Sequence, residues 1–140
     1  MADATELPSV VDFSMDLSKQ EQPDPMPSGQ YTGIIRGAIQ RLSARETRYA
    51  EVAFFINADQ YPADWEDGNP EGTTLFYRRC GLEDNPSARF NARRFIEAIG
   101  APLGKKVNLD DWIGLEAVLD IGPETYEGVK RAVIVKVSAV

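Results

Sequence analysis

The side chains best equipped for chemistry in this sequence are arginines interleaved with aromatic rings. Tyr77-Arg78-Arg79 lies in the densest basic stretch, residues 72–106. Arg45 and Arg48 flank a polar turn, and Tyr126, Lys130 and Arg131 lie in or beside a second one. Tyr49 and Phe55 are six residues apart on one side of an alternating segment. Guanidinium and ammonium groups neutralise phosphate, and exposed rings stack on bases of any identity at about 1–3 kcal/mol each. Together they suit an unpaired polynucleotide. Each position has a plainer reading as well: a solvated hairpin tip for Arg45 and Arg48, burial under another segment or a dimer partner for Phe55, and core or edge packing for Tyr77.

Other chemistries find little support. The chain has no histidine, which removes the usual Ser-His-Asp and Cys-His nucleophilic pairs, histidine-bearing zinc sites and the commonest general base near neutral pH. It has no GxxxxGK[ST] loop and no GxGxxG turn after a strand to hold a nucleotide phosphate. Asp110, Asp111 and Asp120 are conceivable Mg²⁺ ligands, but paired carboxylates before Trp112 read more simply as a turn cap. Cys80 is the single cysteine and reads as a small buried hydrophobe. No catalytic step and no cofactor are expected.

The net charge of −7 argues against a polyanion partner only as a bulk figure. Residues 1–28 hold six acids against Lys19, and residues 59–71 hold five acids against no base, which leaves the rest of the chain at +3. Charge is therefore segregated along the sequence. No run approaches the ~18 apolar residues of a membrane span, and the acidic start lacks a basic-then-apolar leader. The expectation is a soluble protein of a reducing compartment, the cytoplasm.

The elements that must carry these groups can be read in order. Residues 1–28, with Pro8, Pro23, Pro25 and Pro27, read as a flexible acidic arm. Within it Val11 to Leu17 alternates and is the expected point of contact with the body, as an edge strand or a docked stripe. The folded domain spans 29–140. Tyr31 to Leu42 reads as a strand bent at Gly33 and Gly37. Tyr49 to Asn57 alternates, with Ala50, Val52, Phe54 and Ile56 on the core face. Ala58 to Gly72 reads as a long surface loop, whose Asp64-Trp65-Glu66-Asp67 is an aromatic hook in acid or simply solvated. Thr73 to Cys80 is a third strand. Asn85 as N-cap, Pro86 at the first position and Gly100 as terminator bracket a helix. Its stripe is Ala88, Ala92, Phe95, Ile96 and Ile99, and Arg89, Arg93 and Arg94 read as a solvated face. Leu115 to Ile121 and Val129 to Val137 complete five strands, with residues 122–128 expected as a loop. The fold class expected is mainly β: a five-stranded Greek-key barrel of OB type, with one helix between the third and fourth strands.

Gly29-Gln-Tyr-Thr-Gly-Ile-Ile, Leu75-Phe76, the helix ending Phe95-Ile-x-Ala-Ile-Gly100, Trp112-Ile-Gly114 and Thr125-Tyr-x-Gly128 resemble the phage-encoded single-stranded-DNA-binding-like proteins of OB type, over roughly residues 10–140. The resemblance implies non-sequence-specific coating of single-stranded DNA in phage replication or recombination, in the host cytoplasm. Phage or host replication proteins are the partners it implies. Those proteins carry their acidic tail at the C-terminus, whereas here the acids lead. The nucleic-acid-binding set expected is Arg45, Arg48, Tyr49, Phe55, Tyr77, Arg78, Arg79, Tyr126 and Lys130. A homodimer is possible, no membrane is expected, and the alternative is a protein-binding or assembly module that engages a basic partner through its acidic segments.

Overall fold

Period-two burial organises this chain. The computed structural model describes residues 6–140. It has strands β1 (Gly29–Leu42), β2 (Arg48–Ile56) and β3 (Thr73–Gly81), helix α1 (Pro86–Ile99), and strands β4 (Glu116–Tyr126) and β5 (Val129–Ser138). They form one antiparallel sheet in the order β3-β2-β1-β4-β5. The helix lies between β3 and β4 in sequence and packs on β3, β5 and β4. The edge strands β3 and β5 approach each other without a hydrogen-bonded ladder, so the sheet is open along that seam.

Alternation sets what is inside. On β2, Ala50, Val52, Phe54 and Ile56 are fully buried, as their spacing requires. Ala117, Leu119 and Ile121 of β4 meet them from across β1, and Phe95, Ile96 and Ile99 of α1 close the other side with Trp112. The helix starts with the Asn85 side chain accepting the Ala88 N–H at 2.9 Å and Pro86 in the first turn. It ends at Gly100 in the left-handed conformation, φ 75°, where glycine has no Cβ penalty.

Bulges bend the sheet at three places. In β1 the register slips between Ile35 and Gly37, in β3 opposite Ala50 to Val52, and in β5 opposite Asp120 to Ile121. Each adds a residue on one strand and increases local twist. Gly33 makes the tightest inner approach: a Cβ there would lie 2.5 Å from Leu119 Cδ1 and 3.3 Å from Phe54 Cβ.

Two parts of the chain differ from the sequence reading, the 122–128 segment and the arm. Residues 122–128 are not a loop, because β4 and β5 pair as far as Tyr126 and Val129. They turn through Glu127 and Gly128, both at positive φ (51° and 80°), the geometry of a two-residue type I′ hairpin. The 58–72 connection is tied down at several points. The Gln60 amide donates to the Thr32 carbonyl and accepts the Thr32 N–H, both at 2.7 Å. The Tyr61 hydroxyl bonds the Asn69 carbonyl at 2.8 Å, and its ring meets Trp65 edge-on at 4.7 Å.

The arm is also attached differently from expectation. Val10 to Leu17 forms no strand and is exposed. Contact is made later, where the Trp65 indole N–H donates to the Asp24 carbonyl at 2.9 Å and the Asp24 N–H donates to Asp67 at 2.6 Å. Met26 is buried in the core, and the Tyr31 hydroxyl donates to the Pro27 carbonyl at 2.8 Å. Trp65 is thus occupied by the chain's own arm. Among the described residues no helix is long and apolar enough to cross a membrane.

Leu119 is fully buried, so it yields to a new Cβ only by displacing core neighbours. Gly33→Ala therefore overpacks the core and is expected to lower unfolding stability by about 1–3 kcal/mol, measured by urea denaturation.

Candidate nucleic-acid interface

The outward face of β2 and β3 follows from the inward one. With Val52 and Phe54 inside, Tyr49, Glu51, Ala53 and Phe55 must face out. Their partners put Phe76 opposite Ala53 and Thr74 opposite Phe55, so Phe76 is outward and 48% exposed. Two rings on this face have a guanidinium against them. The Arg36 carbon lies 3.6 Å from the Phe55 centroid and the Arg78 carbon 5.1 Å from that of Phe76. A third such pair, Arg131 over Tyr126 at 5.2 Å, stands at the β4–β5 hairpin.

A bulge in β3 falls within the Tyr77-Arg78-Arg79 triplet, at Arg78 and Arg79. Tyr77 pairs with Val52 and Cys80 with Ala50, so two residues oppose Glu51 where regular pleating supplies one. Tyr77 and Arg79 line the same two depressions beside β5. Tyr77 turns inward and stacks on Phe95, with centroids 5.1 Å apart and planes 7° from parallel. Burial raises its hydroxyl pKa. It is half-buried and packs against the core, so Phe95 takes one face of its ring. Cys80, next in the chain, is buried as expected, and its thiol is pushed up to about 11 by burial.

Arg78 and Arg79 stay exposed, and they join two depressions. One is bounded by the β1–β2 turn and holds Arg48 and Tyr49 with Arg78 and Arg79. The other, between β3 and β5, holds Arg78 and Arg79 with Arg131 and Glu124. Five of the expected residues, Arg48, Tyr49, Tyr77, Arg78 and Arg79, are thereby brought together, and Lys130 and Tyr126 stand at the far hairpin. Arg45 is exposed at the near turn, its N–H bonded to Ser43 Oγ at 3.2 Å. Phe55 lies on the same sheet face, half-buried. One side of its ring is taken by Arg36, and its edge is pressed against Gly72, where a Cβ would collide with it. Arg36 presents the flat surface at that position.

Carboxylates neutralise part of this charge. Glu51 accepts from Arg78 at 2.7 Å and from Arg41 at 2.9 Å, which holds its pKa below the usual carboxylate value, Arg78 contributing most. Arg48 sits 3.6 Å from Glu83, and Arg131 is 2.6 Å from Glu124. Among the described residues Arg45, Arg79 and Lys130 enter no ion pair. The face is cationic in excess, since two guanidinium groups share Glu51.

Phe76, Arg36 and Arg41 were missing from the set expected from sequence. Phe76 was accessible to the same parity argument that separated the faces of β2, applied one strand further. Arg36 depends on the β1 bulge, which alternation does not locate. Asp110 and Asp111 lie in a short 3-10 turn capped by the Asn108 side chain. Among the described residues no three metal-ligating side chains converge.

Removing a half-buried ring stacked on Phe95 costs stability. Tyr77→Ala is expected to lose about 2 kcal/mol, below the 3–5 of a fully buried aromatic, while Tyr77→Phe stays within about 0.5 kcal/mol, both by chemical denaturation. No protein-family model matches this chain, and no curated protein is significantly similar to it.

Proposed function

We propose that this chain is an OB-type barrel that binds single-stranded DNA without sequence preference and without catalysis. The strand order β3-β2-β1-β4-β5, with β3 and β5 drawn together and a helix between β3 and β4, supports the OB reading. In that fold the β2–β3 face and the loops after β1 and β4 take the ligand. The resemblance to phage single-stranded-DNA-binding-like proteins points to replication or recombination as the setting.

One observation carries the reading: the continuous line of exposed cations and rings from the β1–β2 turn, across Arg78 and Arg79, to the β4–β5 hairpin. Phosphates track along Arg45, Arg48, Arg78, Arg79 and Lys130, and bases stack on Phe76, Tyr126, Tyr49 and the guanidinium plane over Phe55. A duplex offers no free base faces to these rings, so an unpaired strand is the better ligand.

Titration with fluorescent oligo-dT is the test, with a duplex of equal length as control. Log K is expected to fall with log salt at about −0.7 per phosphate contacted, and Phe76→Ala to weaken binding by about 1–3 kcal/mol, the worth of one stacked base. A flat salt response, or equal affinity for the duplex, overturns the reading. If neither nucleic acid binds, the protein-binding alternative takes its place.

Glu51 and the arm set two further expectations. Glu51→Gln releases Arg78 and Arg41 from their shared carboxylate, and is expected to tighten oligo-dT binding several-fold at low salt. At the other end, the Gln22 amide donates to the Lys130 carbonyl at 2.6 Å, which lays acidic chain beside the β4–β5 hairpin. Removing residues 1–21 spares Met26 and is expected to raise low-salt affinity. Unchanged affinity in that titration refutes competition by the arm.

A further inference from the structure

The cations of this chain do not stop at the sheet. On the α1 side of the β3–β5 seam, where the helix packs on both edge strands, lies a third depression of about 270 Å³. Its lining includes Arg79 of β3, Asn91 and Arg94 of α1 and Lys136 of β5, and among the described residues no carboxylate. Arg79 also borders the two depressions of the sheet face. One side chain therefore joins all three.

These cations are unspent. Among the described residues Arg79, Arg94 and Lys136 enter no ion pair. On the sheet side Glu51 is taken by Arg41 and Arg78, Glu83 by Arg48 and Glu124 by Arg131. On the helix Glu97, three residues from Arg94, is bonded to Arg93 at 3.2 Å. Asp120 stands opposite Lys136 in the β4–β5 register. Even with Lys136 given to Asp120, two guanidinium groups remain uncompensated. The pairing of ring and guanidinium found on the sheet is also repeated here: Phe90, one turn before Arg94, is 59% exposed, with the Arg94 carbon 6.0 Å from its centroid.

We infer that this depression is a further phosphate-binding site, and that a single strand bound on the β2–β3 face continues over the seam into it. Arg79, Arg94 and Lys136 neutralise the phosphodiester backbone there, and the Asn91 amide adds a donor. The inference rests on the proposed single-strand binding and extends its footprint onto α1. A path that turns over a sheet edge suits an unpaired strand, whereas a duplex, stiff over about 150 base pairs, does not follow it.

Fluorescence titration of the full chain with oligo-dT of about 6 and about 20 nucleotides tests the extension, since one OB face covers about 4–16 nucleotides. Arg94→Gln with Lys136→Gln is expected to weaken the longer oligonucleotide at least fivefold at low salt and the shorter one less than twofold. The salt slope of the longer one should flatten by about 1.4, two phosphates at about 0.7 each. Both side chains are exposed, so circular dichroism should remain unchanged. Lys105→Gln with Lys106→Gln removes the same charge outside all three depressions, and is expected to leave both oligonucleotides within twofold. An equal loss for both lengths, no loss for either, or a matching loss from the lysine pair overturns the inference and leaves single-strand binding in place. If the unaltered chain binds neither length, single-strand binding falls and the extension with it.

Discussion

The burial of one face of β2 is the constraint from which the rest follows. Val52, Phe54 and Ile56 have no solvent contact, and a one-residue slip would drive Glu51 and Tyr49 inward and the core residues out. Register is therefore held by the hydrophobic effect itself, at roughly 1.5–3 kcal/mol for each large apolar side chain buried. Once it is fixed, the outward positions of Phe55, Ala53 and Glu51 are no longer free. Through β3 so are those of Phe76 and Arg78.

This constraint explains how a chain of net charge −7 presents a cationic face. The acids of the arm and of the 59–71 connection meet each other at one end, where the Asp24 backbone bonds Trp65 and Asp67. These contacts use backbone groups and an indole rather than arginines, so they leave the guanidinium groups of β3 unspent. Glu51 is the exception. It stands only 13% exposed between Arg41 and Arg78, and by binding both it orients them as it cancels one of their two charges. An oriented guanidinium loses less side-chain entropy when it meets phosphate.

The sequence made the core and element order legible because both depend on local pattern. Alternation picked out the buried face of β2. Asn85, Pro86 and Gly100 bounded α1 because capping chemistry is decided by residues within one turn. The β3 bulge falls at Arg78 and Arg79, so Leu75 and Tyr77 share the inward parity and Cys80 regains it only through the extra residue, which nothing local to Tyr77-Arg78-Arg79 announces. Glu51 and Glu83 were overlooked as neutralisers for a related reason: Glu51 lies 27 residues from Arg78, and Glu83 35 from Arg48. The hairpin at Glu127-Gly128 is hidden from alternation because a glycine that ends a strand in one context closes a tight turn in another.

The arm divides at about residue 22, and the division says what its two parts are for. Beyond it, Met26 is locked in the core and Trp65 holds Asp24, so that part belongs to the body. Before it, acids and large apolar side chains are exposed together. A segment whose only task was to repel or mimic a polyanion would need charge alone. A segment that merely kept the chain soluble would lack Phe13, Met15 and Leu17, which raise the cost of exposure in water. Their alternation with acids gives the segment one apolar and one acidic side if it is extended. The trough on β2 and β3 offers charge but few apolar seats beyond Phe76. Charge on that face can draw in the arm's acids, but it leaves Phe13, Met15 and Leu17 exposed, as they stand in the structure.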